Sequence, residues 1–126
     1  MRYLGIDYGA KRVGVAVSDE SGKIAFPKAV LPNTSALAEQ IAAMCQKENA
    51  GAIVMGESKN FKWKDNPIMA DILEFKSNLE KITKLPIYFE PEFMTSEQAR
   101  FFQGEHKNLD ASAAAIILQS YLDRRR

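Results

Sequence analysis

The sequence predicts an α/β fold in which a five-stranded mixed sheet is flanked by helices. Its first thirty or so residues contain three short apolar stretches separated by polar turns, a pattern typical of an antiparallel meander. From about residue 35 onward, stretches with helical spacing of apolar residues alternate with two more short apolar stretches, as in βα units. The length of 126 residues and the hydrophobic fraction of 46% suit one packed core, so residues 1–126 are expected to form a single domain.

The first half of the chain supplies four of the predicted strands and one helix. Strands at residues 3–6 and 13–17 are joined by a tight turn at Gly9. A third strand at residues 24–30 contains Pro27, which predicts an edge position because proline cannot donate a ladder hydrogen bond. Asn33 or Thr34 is expected to cap a helix over residues 35–47, and a buried strand is expected at residues 52–55.

The second half continues the alternation. Pro67 is expected to open a helix that runs to about residue 83, and a fifth strand is expected at residues 85–90. Thr95 or Ser96 can cap a short helix that ends at Phe102, and a last helix is expected over residues 110–125. Strands one, four and five are expected to run parallel, joined by right-handed crossovers.

Composition excludes several classes of site. The single cysteine, Cys45, allows no internal disulfide and no thiolate cluster, and it is expected to be a buried thiol. His106 is the only histidine, so any metal would need oxygen ligands, which favours Mg²⁺ or Mn²⁺. No apolar stretch has membrane-spanning length and no signal-peptide pattern is present, so a cytoplasmic protein without a membrane partner is expected. The formal net charge of +1 neither requires nor excludes nucleic acid.

Carboxylates follow the ends of the predicted parallel strands. Asp7 ends the first strand, Glu57 follows the fourth, Glu90 and Glu92 end the fifth, and Asp110 begins the last helix. Ligands of open α/β sheets gather at this edge, and clustered carboxylates require cations, as in two-metal phosphoryl transfer. Each acid also has an ordinary structural explanation. Asp7 can accept hydrogen bonds from its own turn, Asp110 can cap its helix, and Glu90 and Glu92 can face solvent.

Two groups of cations are candidates for binding phosphate. Lys11 and Arg12 lie in the turn after Asp7. The segment 57–66 interleaves lysines with aromatic residues, a pattern that suits phosphate neutralisation and base stacking; its cations are Lys59, Lys62 and Lys64 and its aromatics are Phe61 and Trp63. The alternative is an exposed loop whose aromatics fold back onto the core. Phe101 and Phe102 are likewise open to two interpretations, a dimer contact or core packing, so the chain is expected to be a monomer or a homodimer.

The sequence resembles a known family at both of its ends. Residues 5–19, GIDYGAKRVGVAVSD, are similar to the opening motif of the YqgF family of Holliday-junction-resolvase-like proteins, which are linked to maturation of the small-subunit ribosomal RNA precursor. Residues 110–122 are similar to the closing helix motif of that family, and residues 53–56 match its fourth strand. The resemblance covers nearly the whole chain.

Membership in this family implies an RNase H-like fold and a specific set of site residues. Asp7, Glu92 and Asp110 would form an acidic triad that holds Mg²⁺ or Mn²⁺, and Arg12 would contact substrate phosphate. The implied activity is two-metal hydrolysis of phosphodiester bonds in structured RNA, as in 5′-end maturation of pre-16S rRNA. The alternative substrate is branched DNA, as in a Holliday junction resolvase.

Two departures from the family pattern keep other hypotheses open. Pro91 and Phe93 flank Glu92 where the family usually has Asp and Arg, and the loss of that Arg removes a bidentate phosphate contact. Glu57 lies in a Gly-Glu-Ser sequence that replaces a Gly-Leu-Pro loop, and it can add a carboxylate to the site. A noncatalytic nucleic-acid-binding protein is therefore a second hypothesis. A third is a kinase-like nucleotide-binding domain, because actin-like kinases share the Gly-x-Asp-x-Gly turn.

Overall fold

A computed structural model describes residues 1–58, 68–92 and 109–125, and for Ser58, Glu92, Leu109 and Asp110 it describes the backbone. The described residues form five strands and three helices. In chain order these are β1 (Arg2–Tyr8), β2 (Arg12–Ser18), β3 (Ala25–Pro32), α1 (Leu37–Glu48), β4 (Ala50–Ser58), α2 (Met69–Thr83), β5 (Ile87–Glu92) and α3 (Leu109–Arg124).

The strands form one mixed sheet in the order β3-β2-β1-β4-β5. The first three strands pair antiparallel, whereas β4 runs parallel to both β1 and β5. The predicted meander, the parallel pairing and the edge position of the Pro27 strand are therefore confirmed. The register of β3 shifts opposite Val15 and Ala16, next to Pro27, which fits the disturbance that proline causes in a ladder.

Two apolar clusters cover the two faces of the sheet. On one face, α1 and α2 pack through residues at helical spacing, which include Leu37, Ile41, Ile72, Phe75 and Leu79. On the other face, α3 is the described helix that packs on the sheet, through small and branched residues, which include Ala114, Ala115, Ile117, Leu118 and Leu122. The helical spacing of apolar residues in the sequence thus corresponds to the buried faces of the described helices. Cys45 is buried in the first cluster as expected, and burial raises the pKa of its thiol to about 11.

The start of α1 differs from the prediction. Ala36 is the N-cap residue, and no side chain makes a capping hydrogen bond there. The amide Nδ2 of Asn33 instead donates to the carbonyl oxygen of Gly9 over 2.8 Å, and Thr34 Oγ1 accepts a hydrogen bond from the Ala36 backbone N–H. The predicted cap was wrong because Asn33 has a tertiary partner in the β1–β2 turn, which local sequence does not reveal.

Several strand ends also differ from the prediction. The strand β3 extends to Pro32, β4 extends from Ala50 to Ser58, and β5 begins and ends two residues later than predicted. The helix α3 begins at Leu109, one residue before the predicted start. The predicted short helix over residues 95–102 and the predicted helix start at Pro67 lie outside the described residues. In the part of the chain that the structure describes, no helix is long and apolar enough to cross a membrane.

Candidate active site

The central residue of the predicted site, Asp7, lies one residue before the end of β1. It is half-buried and stands in register with Gly14 of β2. Tyr3 packs in the α3 cluster and Gly5 faces Leu118, so alternation along β1 puts Asp7 on the face of the sheet that α3 covers. Asp7 thus occupies the carboxyl-end rim of the sheet, as predicted.

The turn that follows Asp7 is held by contacts from two directions. A Cβ added at Gly9 would lie 2.4 Å from the carbonyl oxygen of Arg12, so the turn closes more tightly than any other residue would allow. Asn33 donates through its side chain to the Gly9 carbonyl and through its backbone N–H to the carbonyl of Lys11, over 2.9 Å. Sequence reasoning missed this role of Asn33. Lys11 in this turn and Arg12 at the start of β2 are exposed cations beside the rim.

The first turn of α3 lies near the level of Asp7. Tyr3 contacts Tyr121 and Arg125, whereas a Cβ at Gly5 would lie 2.8 Å from the Cβ of Leu118 and 3.2 Å from the Ala114 carbonyl oxygen. The helix therefore runs antiparallel to β1. Asp7 lies two residues after Gly5, which is about 6.6 Å along the strand. Roughly four helical residues cover the same distance, so Asp7 is level with about residues 110 to 114 of α3. Asp110 lies in this first turn.

The last residue of β5 is Glu92, which is in register with Ser58 of β4. Because β1 and β5 both pair with β4 in parallel, the carboxyl ends of β1 and β5 meet at one edge of the sheet. Adjacent strands lie about 4.8 Å apart, so the backbones of β1 and β5 are roughly 10 Å apart across β4. The backbone of Glu92 therefore stands at the same rim as Asp7.

Glu90 does not end β5, and it is not an exposed strand residue. Its side chain is buried, with an exposed fraction of 4% for the residue, and it forms an ion pair with Arg124 of α3. Ser120 Oγ also donates to the Glu90 carboxylate over 2.8 Å. A buried carboxylate needs such partners, and Glu90 uses them to hold β5 against the end of α3. The interpretation of Glu90 as an exposed strand residue was therefore wrong.

Glu57 lies within β4, where it is in register with Pro91. Ile53 and Met55 precede it at alternate positions and belong to the cluster under α1 and α2. Alternation therefore assigns Glu57 to the face opposite Asp7. This placement favours a role for Glu57 outside the set formed by Asp7, Glu92 and Asp110.

The remaining candidates fall partly outside the described residues. Lys59, Lys62 and Lys64 lie there, as do Phe61, Trp63, Phe93, Phe101 and Phe102. Among the residues described, no three Asp, Glu, His or Cys side chains are grouped so that they could hold a metal ion. The Asp7 side chain is among those described, whereas the Glu92 and Asp110 side chains are not.

Solved structures with the same arrangement define the class of fold. Two structures of RuvC from Thermus thermophilus, one of them in complex with Holliday junction substrate, match 99% of this chain and 96% of theirs. Their TM-scores are 0.65 for the complex and 0.67 for the other structure, at 16% and 14% identity. The fold of this chain is therefore RNase H-like.

Sequence comparison then gives the family. The model of the family described as "RuvX: Holliday junction resolvase" matches residues 1–124. A relative from Nitratidesulfovibrio vulgaris, named "Putative pre-16S rRNA nuclease", is 34% identical over 98% of this chain and 94% of its own length. The chain belongs to the RuvX family, also called YqgF, as its opening and closing motifs indicated.

Proposed function

We propose that this protein is a metal-dependent endonuclease that hydrolyses phosphodiester bonds of structured RNA during 5′-end maturation of pre-16S rRNA. The observation that carries the proposal is the close packing of α3 on Gly5, which keeps the first turn of α3 near the level of Asp7. The names of the curated relatives support the substrate. Maturation of ribosomal RNA would take place in the cytoplasm.

The donors at the rim fit a hard divalent cation. Asp7 offers carboxylate oxygens on a half-buried strand end, whereas the soft ligand Cys45 is buried in the α1–α2 cluster. Asp7, Glu92 and Asp110 would hold Mg²⁺ or Mn²⁺. Such a cation, when bound, activates water and stabilises the charge that develops on a phosphate.

The residues of the chain itself have separate tasks in this proposal. Asp110 lies in the first turn of α3, where the helix dipole stabilises a negative charge. Lys11 in the turn that Gly9 and Asn33 hold, and Arg12 directly after it, would bind phosphates on the substrate backbone. Lys59, Lys62 and Lys64 would extend this contact along the RNA.

A cleavage assay tests the proposal. A labelled precursor 16S rRNA fragment is incubated with the protein in Mg²⁺, in Mn²⁺ and in chelator. Cutting is expected with either metal and absent with chelator. Asp7→Asn is expected to abolish cutting, whereas Glu39→Gln, which removes an exposed carboxylate on α1, is expected to leave it unchanged. Equal cutting by the wild type and by Asp7→Asn would contradict the proposal.

Branched DNA is the second candidate substrate. The description of the family and the fold shared with RuvC favour it. The same assay with a four-way DNA junction distinguishes the two candidate substrates. Cutting of the junction alone would favour branched DNA over RNA as the substrate. Binding of either nucleic acid without any cutting would favour a noncatalytic protein. The expected cause would then be Pro91 and Phe93, the two residues that flank Glu92.

A further inference from the structure

An aromatic stack lies at the C-terminal end of α3. The rings of Tyr88 on β5 and Tyr121 on α3 are stacked, with centroids 5.6 Å apart and an angle of 15° between their planes. Tyr121 also contacts the ring of Tyr3 at 6.0 Å. Tyr3 is buried, with an exposed fraction of 3%, so the stack is anchored in the core beneath it.

Two arginines adjoin this stack. The guanidinium of Arg125 lies 5.0 Å from the centre of the Tyr3 ring, and its Nε donates to the Tyr3 hydroxyl over 2.9 Å. Arg125 is otherwise exposed. Arg124, one residue earlier, is fixed by its ion pair with Glu90. The helix end thus carries guanidinium groups whose positions are set by the surrounding side chains.

Packing of the helix on the sheet explains only part of this arrangement. It accounts for Tyr3 and for the half-buried Tyr121. It does not account for Tyr88, which is 42% exposed on an edge strand of the described sheet although one face of its ring is already covered by Tyr121. An exposed aromatic ring with a cation in the same cluster of side chains suits unpaired nucleotides, since a base stacks on the ring and the cation binds phosphate.

We propose that Tyr88, Tyr121 and Arg125, here called the tyrosine platform, form a second nucleic-acid contact that binds single-stranded RNA flanking the cleavage site. This proposal rests on the proposed function. A base would stack on Tyr88, and Arg125 would bind a neighbouring phosphate. The platform and Asp7 lie on the face of the sheet that α3 covers.

The separation of the platform from the rim sets the length of RNA required. Tyr88 and Gly5 are both in register with Val54, so Tyr88 lies two residues before the level of Asp7. On its own strand Tyr88 lies four residues before Glu92, which is roughly 13 Å at about 3.3 Å per residue. A strand that keeps a stacked rise of about 3.4 Å per nucleotide covers this distance in roughly four nucleotides. Substrates with a single-stranded flank of at least that length are expected to reach both sites.

Binding in the absence of metal tests the platform without cleavage. Fluorescence anisotropy is measured with a labelled oligouridine of about 12 nucleotides in chelator. Tyr88→Ala is expected to weaken binding at least about fivefold, and Tyr88→Phe is expected to restore it because the ring remains. Phe26→Ala is the matched control, because Phe26 is an aromatic residue on the opposite edge strand with an exposed fraction of 49%. Its affinity is expected to equal that of the wild type.

Salt dependence tests the arginine separately. Arg125→Ala is expected to reduce the slope of log affinity against log salt concentration by about 0.7, the value for one phosphate contact to a single strand. The proposal is overturned if Tyr88→Ala binds within about twofold of the wild type, if Phe26→Ala loses as much affinity, or if the wild type does not bind the oligonucleotide. Metal-dependent cleavage by the same wild-type preparation reports on the nuclease proposal independently, so either proposal can fail alone.

Discussion

Replacement of Gly5 by alanine tests how tightly α3 is seated on β1. The new Cβ would lie 2.8 Å from the Cβ of Leu118 and 3.2 Å from the carbonyl oxygen of Ala114. Neither atom is the end of a flexible side chain, so the helix itself must move. Overpacking of this kind destabilises a protein by about 1–3 kcal/mol. Alanine also lowers the entropy of the unfolded chain, which stabilises the folded state by about 0.4–1 kcal/mol.

The net destabilisation expected for Gly5→Ala is therefore about 1–2 kcal/mol. A chain of this length has an unfolding entropy of about 0.26 kcal/mol/K, so the melting temperature should fall by about 4–8 °C. Far-UV circular dichroism during heating measures this fall. The displaced helix should also lower cleavage at temperatures where the variant is folded, because Asp110 lies in the first turn of α3.

Gly51→Ala provides a matched control in the neighbouring strand β4. There the new Cβ would lie 2.4 Å from Met1 Sδ and 2.6 Å from Met1 Cγ, which belong to a flexible and exposed side chain that can move away. Its melting temperature is expected to stay within about 4 °C of the wild type. If Gly5→Ala melts at the wild-type temperature, the close seating of α3 on β1 is refuted.

Three further perturbations probe separate parts of the fold. Arg124→Ala leaves the buried Glu90 without its ion pair. Because the Arg124 side chain is 61% exposed, the free energy of unfolding is expected to fall by about 1–2 kcal/mol, less than for a fully buried pair. Urea unfolding measures this loss, and an unchanged midpoint would contradict it. Hydrogen bonds from the Ser21 hydroxyl and the loop backbone hold the pKa of the Asp19 carboxyl well below its usual range, so Asp19 stabilises the fold above about pH 4 and loses this effect as the pH falls further. The melting temperatures of the wild type and Asp19→Asn should therefore converge in strong acid, and a constant difference would disprove the assignment. Burial keeps the Cys45 thiol protonated, so a thiol reagent should label it at neutral pH only after denaturation, and rapid labelling of the folded protein would contradict its placement.

Local patterns in the sequence were sufficient for the parts of the fold that depend on one segment at a time. The spacing of Ile72, Phe75 and Leu79 defines the buried face of α2 whatever lies beneath it. Pro27 marks an edge strand because proline lacks an N–H group. The rim position of Asp7 followed from the strand that precedes it and from the parallel pairing with β4.

Features set by partners distant in sequence could not be predicted. Glu90 looks like a surface acid until the register of β5 brings it under Arg124, which is 34 residues away. Asn33 has the composition of a helix cap, yet its partner is the Gly9 carbonyl 24 residues earlier. The tyrosine platform could not be predicted for the same reason, since Tyr88 comes from β5 and Tyr121 and Arg125 come from the end of α3.

The proposed nuclease site requires a divalent cation at the rim around Asp7. Titration of Mn²⁺ into the protein, followed by the electron paramagnetic resonance signal of the free ion, measures this without any assumption about the substrate. The wild type and Glu39→Gln are expected to bind Mn²⁺ equally. Asp7→Asn is expected to bind at least about tenfold more weakly, because loss of a ligand should cost no less than loss of an outer-shell partner. Equal binding of Mn²⁺ by the wild type and a folded Asp7→Asn variant would contradict the claim.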